Sequence, residues 1–542
     1  MNHGVMSLMT PPSRHAIPAS CVALFRVFAM SEILFGQAYY LRFDPKLWEA
    51  MQPYPPLGTL YAASYLRNRG FEVAFFDAML AASEQQWAQA LRQQQPRFAI
   101  LYEDHFNYLT KMCLLRMRQA AMTMIDMARA RGCTVIVCSA DASDHPESYL
   151  AAGAHFILVG EGEETLGELM DRLTGRSDVA FDAIESLVFV DPQNDNRVVH
   201  TPRRKVLKNL DALPWPAWDL ADVPRYQDLW HRRHGYFSIN MVTSRGCPFH
   251  CNWCAKPIWG QRYHARRPDD VVAEMKWLHD RYQPDHLWFM DDMMGIKPGW
   301  MARLADLIEE NDVRIPFKCL NRVDLLLREG EIEALRRAGC QIVWTGVESG
   351  SQTILDAMDK GTTVEQAREA ARRLHEAGIE VGFFLQFGYP GETRDDIEQT
   401  FQLVRQCRPD QIGVSVSYPL PGTPFYEAVN AQLGAKQNWI DSDDLDMMYE
   451  GPFTTAFYRK LHRVLHKEFR ARKAWHTLRP ALRQPTRLRK HHLREAAIMA
   501  YHTATLPLAR LQMERLSRRP HEGVKPLPLK MTTEEAATPS PF

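Results

Sequence analysis

The chain has 542 residues, of which 46% are hydrophobic and 24% charged. That composition excludes a mostly disordered chain, a collagen-like repeat and a small disulfide scaffold, and it has room for three or four domains. The formal net charge of 0 hides an asymmetry: residues 451–542 carry 19 basic and 6 acidic residues, or +13, which leaves −13 on the rest. No uncharged apolar run reaches the roughly 18 residues that a membrane-spanning helix needs. Ten cysteines are too few for a disulfide-stapled secreted design. Three of them fall within Cys247–Cys254, which reads as a metal-ligand cluster in a reducing, cytoplasmic compartment.

Residues 1–30 read as an N-terminal extension outside the fold. Their apolar stretch, Cys21–Ala29, is interrupted by Arg26 and lacks the basic flank of a secretory signal. From 31 to 200, short apolar runs alternate with amphipathic helical stretches. The runs Ile33–Phe35, Val73–Phe76, Phe98–Leu101, Thr134–Val137 and Phe156–Val159 are expected to be buried strands. Helical patterns cover Thr59–Asn68, Ser83–Gln93 and Leu114–Arg129. Such alternation predicts a doubly wound, Rossmann-like parallel sheet, whose ligands bind outside the carboxyl ends of the strands. Leu187–Val190 and Arg197–His200 flank a turn and predict a hairpin. Residues 201–232, with two prolines in Leu210–Trp218, read as an interdomain linker.

A second strand–helix series occupies 233–450. Its expected strands are Ser238–Val242, His286–Met290, Phe317–Leu320, Ile342–Thr345, Val381–Leu385 and Ile412–Val416. Six βα units of this spacing predict a partial (β/α)6 barrel of the TIM type, with catalytic groups at the strands' C-terminal ends. Residues 451–518 read as a basic helical region. Residues 519–542, rich in proline, threonine and glutamate, read as a disordered tail.

The strongest local signal is Thr243-Ser-Arg-Gly-Cys-Pro-Phe-His-Cys-Asn-Trp-Cys254, with the spacing C-x3-C-x2-C. Three thiolates on one loop can ligate three irons of a 4Fe-4S cubane and leave the fourth iron open to a substrate or cofactor. A zinc knuckle using His250 as fourth ligand is an alternative, although the spacing matches paired zinc motifs poorly. Three inert buried cysteines are another, which leaves the clustering unexplained.

This segment resembles the signature of radical S-adenosylmethionine (SAM) enzymes. The resemblance implies that Cys247, Cys251 and Cys254 hold the cluster, and that the open iron binds SAM for reductive cleavage to a 5′-deoxyadenosyl radical. It places Trp253 near the adenine. It also makes Asp291, Arg322, Glu348 and Ser349 candidates to hold the ribose or amino-acid end of SAM, since strand-end carboxylates accept hydrogen bonds from ammonium and hydroxyl groups. Helix capping is the alternative role for the carboxylates, Asp292 among them. Gly388, in Phe387-Gly-Tyr-Pro-Gly-Glu-Thr393, belongs to the same set of strand-end motifs, whose glycines could equally serve tight turns.

Pro53–Arg67 and Gly160-Glu-Gly-Glu-Glu-Thr165 resemble the cobalamin-binding domain attached to many such enzymes. Ser139, Gly160 and Glu161 are the candidate corrin contacts. The D-x-H-x-x-G motif that supplies a cobalt-ligating histidine is missing, so cobalamin is expected without a histidine lower ligand, as in relatives resembling the anaerobic magnesium-protoporphyrin ester cyclase. The resemblance spans about Ser31 to Ala428 and implies a cobalamin-dependent C-methyltransferase. A radical oxidative cyclase, or a non-catalytic cobalamin- or metal-binding protein, is the alternative. The expected partners are a small-molecule or lipid-like substrate and a reductant such as flavodoxin or ferredoxin. No nucleic-acid reader motif accompanies the basic C-terminus, whose helices read either as solvated faces packed on the barrel or as a peripheral membrane contact.

Overall fold

A computed structural model describes residues 31–112, 114–254, 258–433, 438–442, 445–483 and 489–518. The expected extension (1–30) and tail (519–542) lie outside the described residues.

The N-terminal sheet has seven strands: β1 (Ile33–Gly36), β2 (Val73–Phe75), β3 (Phe98–Tyr102), β4 (Thr134–Cys138), β5 (Phe156–Leu158), β6 (Leu187–Asp191) and β7 (Arg197–His200). Their order is β2-β1-β3-β4-β5-β6-β7. The first five run parallel, and the β6–β7 hairpin is added antiparallel at the β5 edge. β1 and β3 are buried along their whole length. Helices therefore cover both faces, which is why these strands read as continuous apolar runs rather than as alternation. The chain switches direction across the sheet between β1 and β3, and a doubly wound sheet opens a crevice at such a point.

The second sheet is formed by β8 (Ser238–Met241), β11 (His286–Phe289), β12 (Phe317–Asn321), β13 (Cys340–Glu348), β14 (Glu380–Phe387) and β15 (Gln411–Val416), all parallel and in spatial order β15-β14-β13-β12-β11-β8. This is an open six-stranded barrel. The two-residue strands β9 (Ser244–Arg245) and β10 (His264–Ala265) pair antiparallel and close the base of the cysteine loop. Local signals agree with the fold. Thr363 with Gln366, and Thr393 with Asp396, form capping boxes that start the helices Val364–Glu376 and Arg394–Cys407.

The segment expected as a linker is not bare chain. It contains the helix Val223–His234, so the boundary drawn at 232 falls within a helix. Trp230 donates from Nε1 to the Pro53 carbonyl at 2.7 Å, and Tyr226 donates to Asp77 at 2.8 Å. One apolar core runs without a break from β1 through this helix into the barrel. The basic region forms two long helices, Thr455–Arg483 and Lys490–Ser517, packed on each other. Leu461, Val464 and Leu465 are buried, and Phe469 is partly buried against the core. Among the described residues, no helix is long and apolar enough to cross a membrane.

Candidate active site

The carboxyl ends of both sheets open onto one cavity of about 650 Å³. Tyr39, Asp104, Tyr108 and Asp141 line it from the N-terminal sheet, and Trp288, Lys318, Trp344 and Gln386 line it from the barrel. Cys247, Cys251, Trp253 and Cys254 form part of the wall between the two.

The cysteine loop is held at three points. At its start, Asp291 accepts hydrogen bonds from the Thr243 amide (2.8 Å) and hydroxyl (2.9 Å) and from the Ser244 amide and hydroxyl. Burial pushes this carboxyl up to about 6, against those hydrogen bonds. Gly246 follows with φ +80°, and a Cβ there would stand 2.3 Å from the Arg262 carbonyl. Only glycine fits that approach. In the middle of the loop, Asn252 donates from Nδ2 to the Ala357 carbonyl at 2.7 Å, and its Oδ1 accepts from the Tyr389 hydroxyl at 3.0 Å.

The third hold joins the two domains. Arg245 is buried and pairs with Glu161 and, at 2.7 Å, with Glu163. Burial disfavours the charge on Arg245, but the two carboxylates outweigh it and hold the guanidinium firmly ionised. The acidic residues of the Gly160–Thr165 turn thus clasp the arginine of the cysteine loop. Removing one partner of such a buried pair typically costs about 3–5 kcal/mol.

Beside Cys251, positive charge is concentrated. Arg322 places Nη1 4.0 Å from the Cys251 Sγ and its guanidinium 3.7 Å from the Phe249 ring centroid. Lys360 donates to Glu348 at 2.8 Å. Burial opposes the ammonium charge, but Glu348 and then Cys251 more than offset it, and the lysine is held above its usual range. Glu348 itself has φ 61°, a left-handed conformation at a register shift in β13. Strain of this kind in a non-glycine residue concentrates at functional sites.

Of the residues singled out from the sequence, Cys247, Cys251, Cys254, Trp253, Asp291, Arg322 and Glu348 all line the cavity. Asp291 also has both oxygens engaged by Thr243 and Ser244, so it fixes the start of the cysteine loop. Asp292 pairs with Lys111 across the cavity. The remaining candidates do not line it. The Ser349 hydroxyl accepts from the Ser351 amide, and Gly388 makes a turn in which its amide donates to Glu392 at 2.7 Å. Ser139 caps the helix Ala140–Asp144 through the Ala142 amide at 2.8 Å, and the Gly160 amide donates to Ser143 at 3.0 Å. Glu161 is committed to Arg245 and the Leu207 amide. The glycine-rich turn also has a packing reason. A Cβ on Gly162 would lie 2.6 Å from the Cys138 Sγ and 2.9 Å from the Tyr102 ring.

Sequence reasoning missed Lys111, Lys318, Lys360, Asn252 and Tyr389. Tyr389 lies inside a motif already noted. The lysines carry no local signal, because their meaning comes from partners distant in the chain.

The donor set fits an iron–sulfur cluster. Among the described residues, no three His, Cys, Asp or Glu side chains converge as ligands of a single ion. A cubane takes each thiolate on a different iron and does not need them to meet at one point. The Trp253 side chain lines the cavity, and among the described residues its buried Nε1 has no hydrogen-bond partner.

Residues 241–404 match the radical SAM superfamily. The chain is similar to an uncharacterized methyltransferase of Pyrococcus horikoshii, with 28% identity over 318 residues, covering 58% of this chain and 66% of the relative. It is also similar to the anaerobic magnesium-protoporphyrin IX monomethyl ester cyclase of Rubrivivax gelatinosus, with 26% identity over 292 residues, covering 53% and 50%. The chain thus spans about half to two thirds of the length of these curated relatives. Its fold matches that of OxsB, a cobalamin-dependent SAM radical enzyme solved with aqua-cobalamin and SAM, at a TM-score of 0.66, covering 90% of this chain and 72% of that one at 16% identity.

Proposed function

We propose that this chain, which carries a radical SAM domain across residues 241–404, is a cobalamin-dependent radical SAM enzyme that methylates an unactivated carbon of a small-molecule or lipid-like substrate. The observation that carries the reading is the shared cavity: the three-cysteine loop, the barrel lumen and the carboxyl edge of the Rossmann-like sheet all face one space. The bound groups would supply reductive cleavage of SAM and a transferable methyl group, while the chain supplies position, charge and exclusion of water.

Cys247, Cys251 and Cys254 would hold the cluster. Arg322 and Lys360 would offset negative charge beside Cys251, and Glu348 keeps Lys360 in place. Trp253 would pack its ring against the bound nucleoside from the cavity wall. On the opposite wall, Asp104, Tyr108 and Asp141 stand where a corrin would lie, at the crevice of the sheet. We assign cobalamin no histidine lower ligand. His145 also lines the cavity, so the assignment has a direct check. A small electron-transfer protein such as flavodoxin or ferredoxin would supply the electron, in a cytoplasmic setting, and no nucleic acid takes part.

The similarity to a methyltransferase supports methylation. The similarity to the oxidative cyclase supports a second reading, radical cyclisation, on the same site. The test is anaerobic reconstitution with iron, sulfide and cobalamin, followed by reductant and methyl-labelled SAM. The expected products are 5′-deoxyadenosine together with S-adenosylhomocysteine, with label on the corrin and no nitrogen splitting in the Co(II) spectrum. Deoxyadenosine without corrin methylation would favour the cyclase reading. A nitrogen triplet that disappears in His145→Ala would overturn the ligand assignment. A fully loaded cluster that forms no deoxyadenosine would end the catalytic reading of the three cysteines.

A further inference from the structure

Lys318 is the second residue of β12, whose alternation sends Lys318 and Leu320 into the barrel lumen, where both line the cavity. Its ammonium lies 4.2 Å from the Trp288 ring centroid and 5.4 Å from that of Tyr54. Among the described residues, no carboxylate or carbonyl pairs with it. Burial alone pulls this amine down, to about 8, with no charged neighbour contributing. The other lysines on the cavity wall are all engaged: Lys46 with the Ser442 carbonyl at 3.2 Å, Lys111 with Asp292, and Lys360 with Glu348. A buried cation without a counter-charge is costly to keep. Its open side is the cavity.

The surroundings define what could pair with it. Trp288 stands beside the amine on one neighbouring strand, and on the other side β13 and β14 supply Trp344 and Phe384, which stack with centroids 4.6 Å apart. The lumen around Lys318 is therefore aromatic, and among the described residues its ammonium is the cavity lysine without a paired group. Arg322, beside the cysteine loop, is four residues further on, just past the end of β12 and still extended, which at strand rise is about 13 Å.

We propose that Lys318 is the anchor for an anionic group, carboxylate or phosphate, of a substrate whose apolar body lies against Trp288, Trp344 and Phe384. Its reacting carbon then lies toward the cysteine loop, within the roughly 13 Å that strand rise puts between Lys318 and Arg322. The assignment rests on the radical SAM reading only for where the reacting carbon lies. The anion site itself stands on the lumen alone.

The test is equilibrium dialysis of the full-length, cluster- and cobalamin-loaded protein against three probes with a common apolar body: 4-(1-pyrenyl)butyrate, 4-(1-pyrenyl)butyl phosphate and 4-(1-pyrenyl)butanol. One or both anions are expected to bind at least about tenfold tighter than the alcohol, a factor typical of one charge-assisted contact. Whether carboxylate or phosphate wins identifies the group. Lys318→Met should bring the three probes to nearly equal affinity, and Lys318→Arg should keep the preference. Circular dichroism of Lys318→Met, expected to match that of the wild type, checks that the variant folds. Equal binding of all three probes by the wild type, no binding of any, or a preference that survives in Lys318→Met would each overturn the anchor. Loss of SAM cleavage in the wild type with the anion preference intact would instead refute the radical SAM reading and leave the anchor standing.

Discussion

Glu103 follows β3 at the switch point, fully buried, with Oε1 accepting from the Ala38 amide at 2.7 Å and Oε2 without a partner. Burial pushes this carboxyl up to about 8, with Asp104 and Asp141 adding to the shift and the Ala38 amide opposing it. The folded state thus holds a proton that the unfolded chain releases near 4.5, the usual value for this side chain. Stability from this group is complete below about 4.5 and is lost as pH rises through about 8. Glu103→Gln copies the protonated form, so the variant should melt above the wild type at pH 8–9 and close to it at pH 5. Thermal midpoints across that range check this, and a wild-type advantage at pH 9 would contradict it. Residue-scale chemistry was legible only where spacing carried it. Cys247, Cys251 and Cys254 announce themselves, and Arg245 sits in the same motif. Its partners Glu161 and Glu163 lie more than 80 positions away, and Tyr389 reaches Asn252 across 137. No local pattern encodes such pairs. Ser139 and Ser349, read as cofactor contacts, have local hydrogen-bonding duties as well, because polar residues at strand–helix turns serve backbone amides.

At the scale of elements, strands buried on both faces were readable because apolar runs of four or five residues have few other fates. The helix Val223–His234 was not. The linker reading of 201–232 rests on the two prolines of Leu210–Trp218 ahead of the helix, whose own sequence, Val-Pro-Arg-Tyr-Gln-Asp-Leu-Trp-His-Arg-Arg-His, shows a dense polar face and one proline. It sits in the first turn, where a missing N–H costs nothing, and only Val223, Tyr226 and Trp230 need burial. The C-terminal helix Lys490–Ser517 poses the converse question, since Leu493 is 76% and Leu508 61% exposed. With Tyr501 and Leu511, which are also exposed, they share one stripe of the helix at 100° per residue, and Lys490, Arg494 and Arg515 fall along the same side. Exposed apolar side chains interspersed with cations on one side of a helix are what a contact with an anionic membrane would use. The protein should therefore co-sediment with vesicles containing phosphatidylglycerol more than with purely zwitterionic ones, and less so in high salt. Replacing Leu493 and Leu508 together by Glu should weaken this by tenfold or more, given about 1.5–3 kcal/mol per buried leucine. Equal sedimentation of wild type and variant would leave the stripe as plain solvated surface.

The whole molecule is built around a site that neither sheet holds alone, and its cohesion follows from that. The apolar core that starts under β1 continues through Trp218 and Trp230 and into the barrel to reach Ala509 and Met513 of the last helix. Polar contacts cross the same boundary. Arg266 reaches Glu274 at 2.6 Å and lies near the Tyr61 hydroxyl at 3.3 Å, while the Trp218 indole donates to Glu274 at 3.1 Å. Domains joined by small polar interfaces move and melt separately, whereas an extensive apolar interface couples them. Pulling these sheets apart would expose that continuous core and leave Arg245, Glu161 and Glu163 without their geometry. Calorimetry of the full-length protein should therefore show one main endotherm rather than two of comparable size. Arg245→Met, which strands two carboxylates in the interface, should lower that endotherm and begin to split it, because the stabilising contact it removes lies between the units and not within either. Two resolved transitions already present in the wild type would mean that the cavity lies between loosely coupled bodies, and the fixed spacing between the cavity wall of the N-terminal sheet and the cysteine loop would then be a property of the ligand-bound state rather than of the fold.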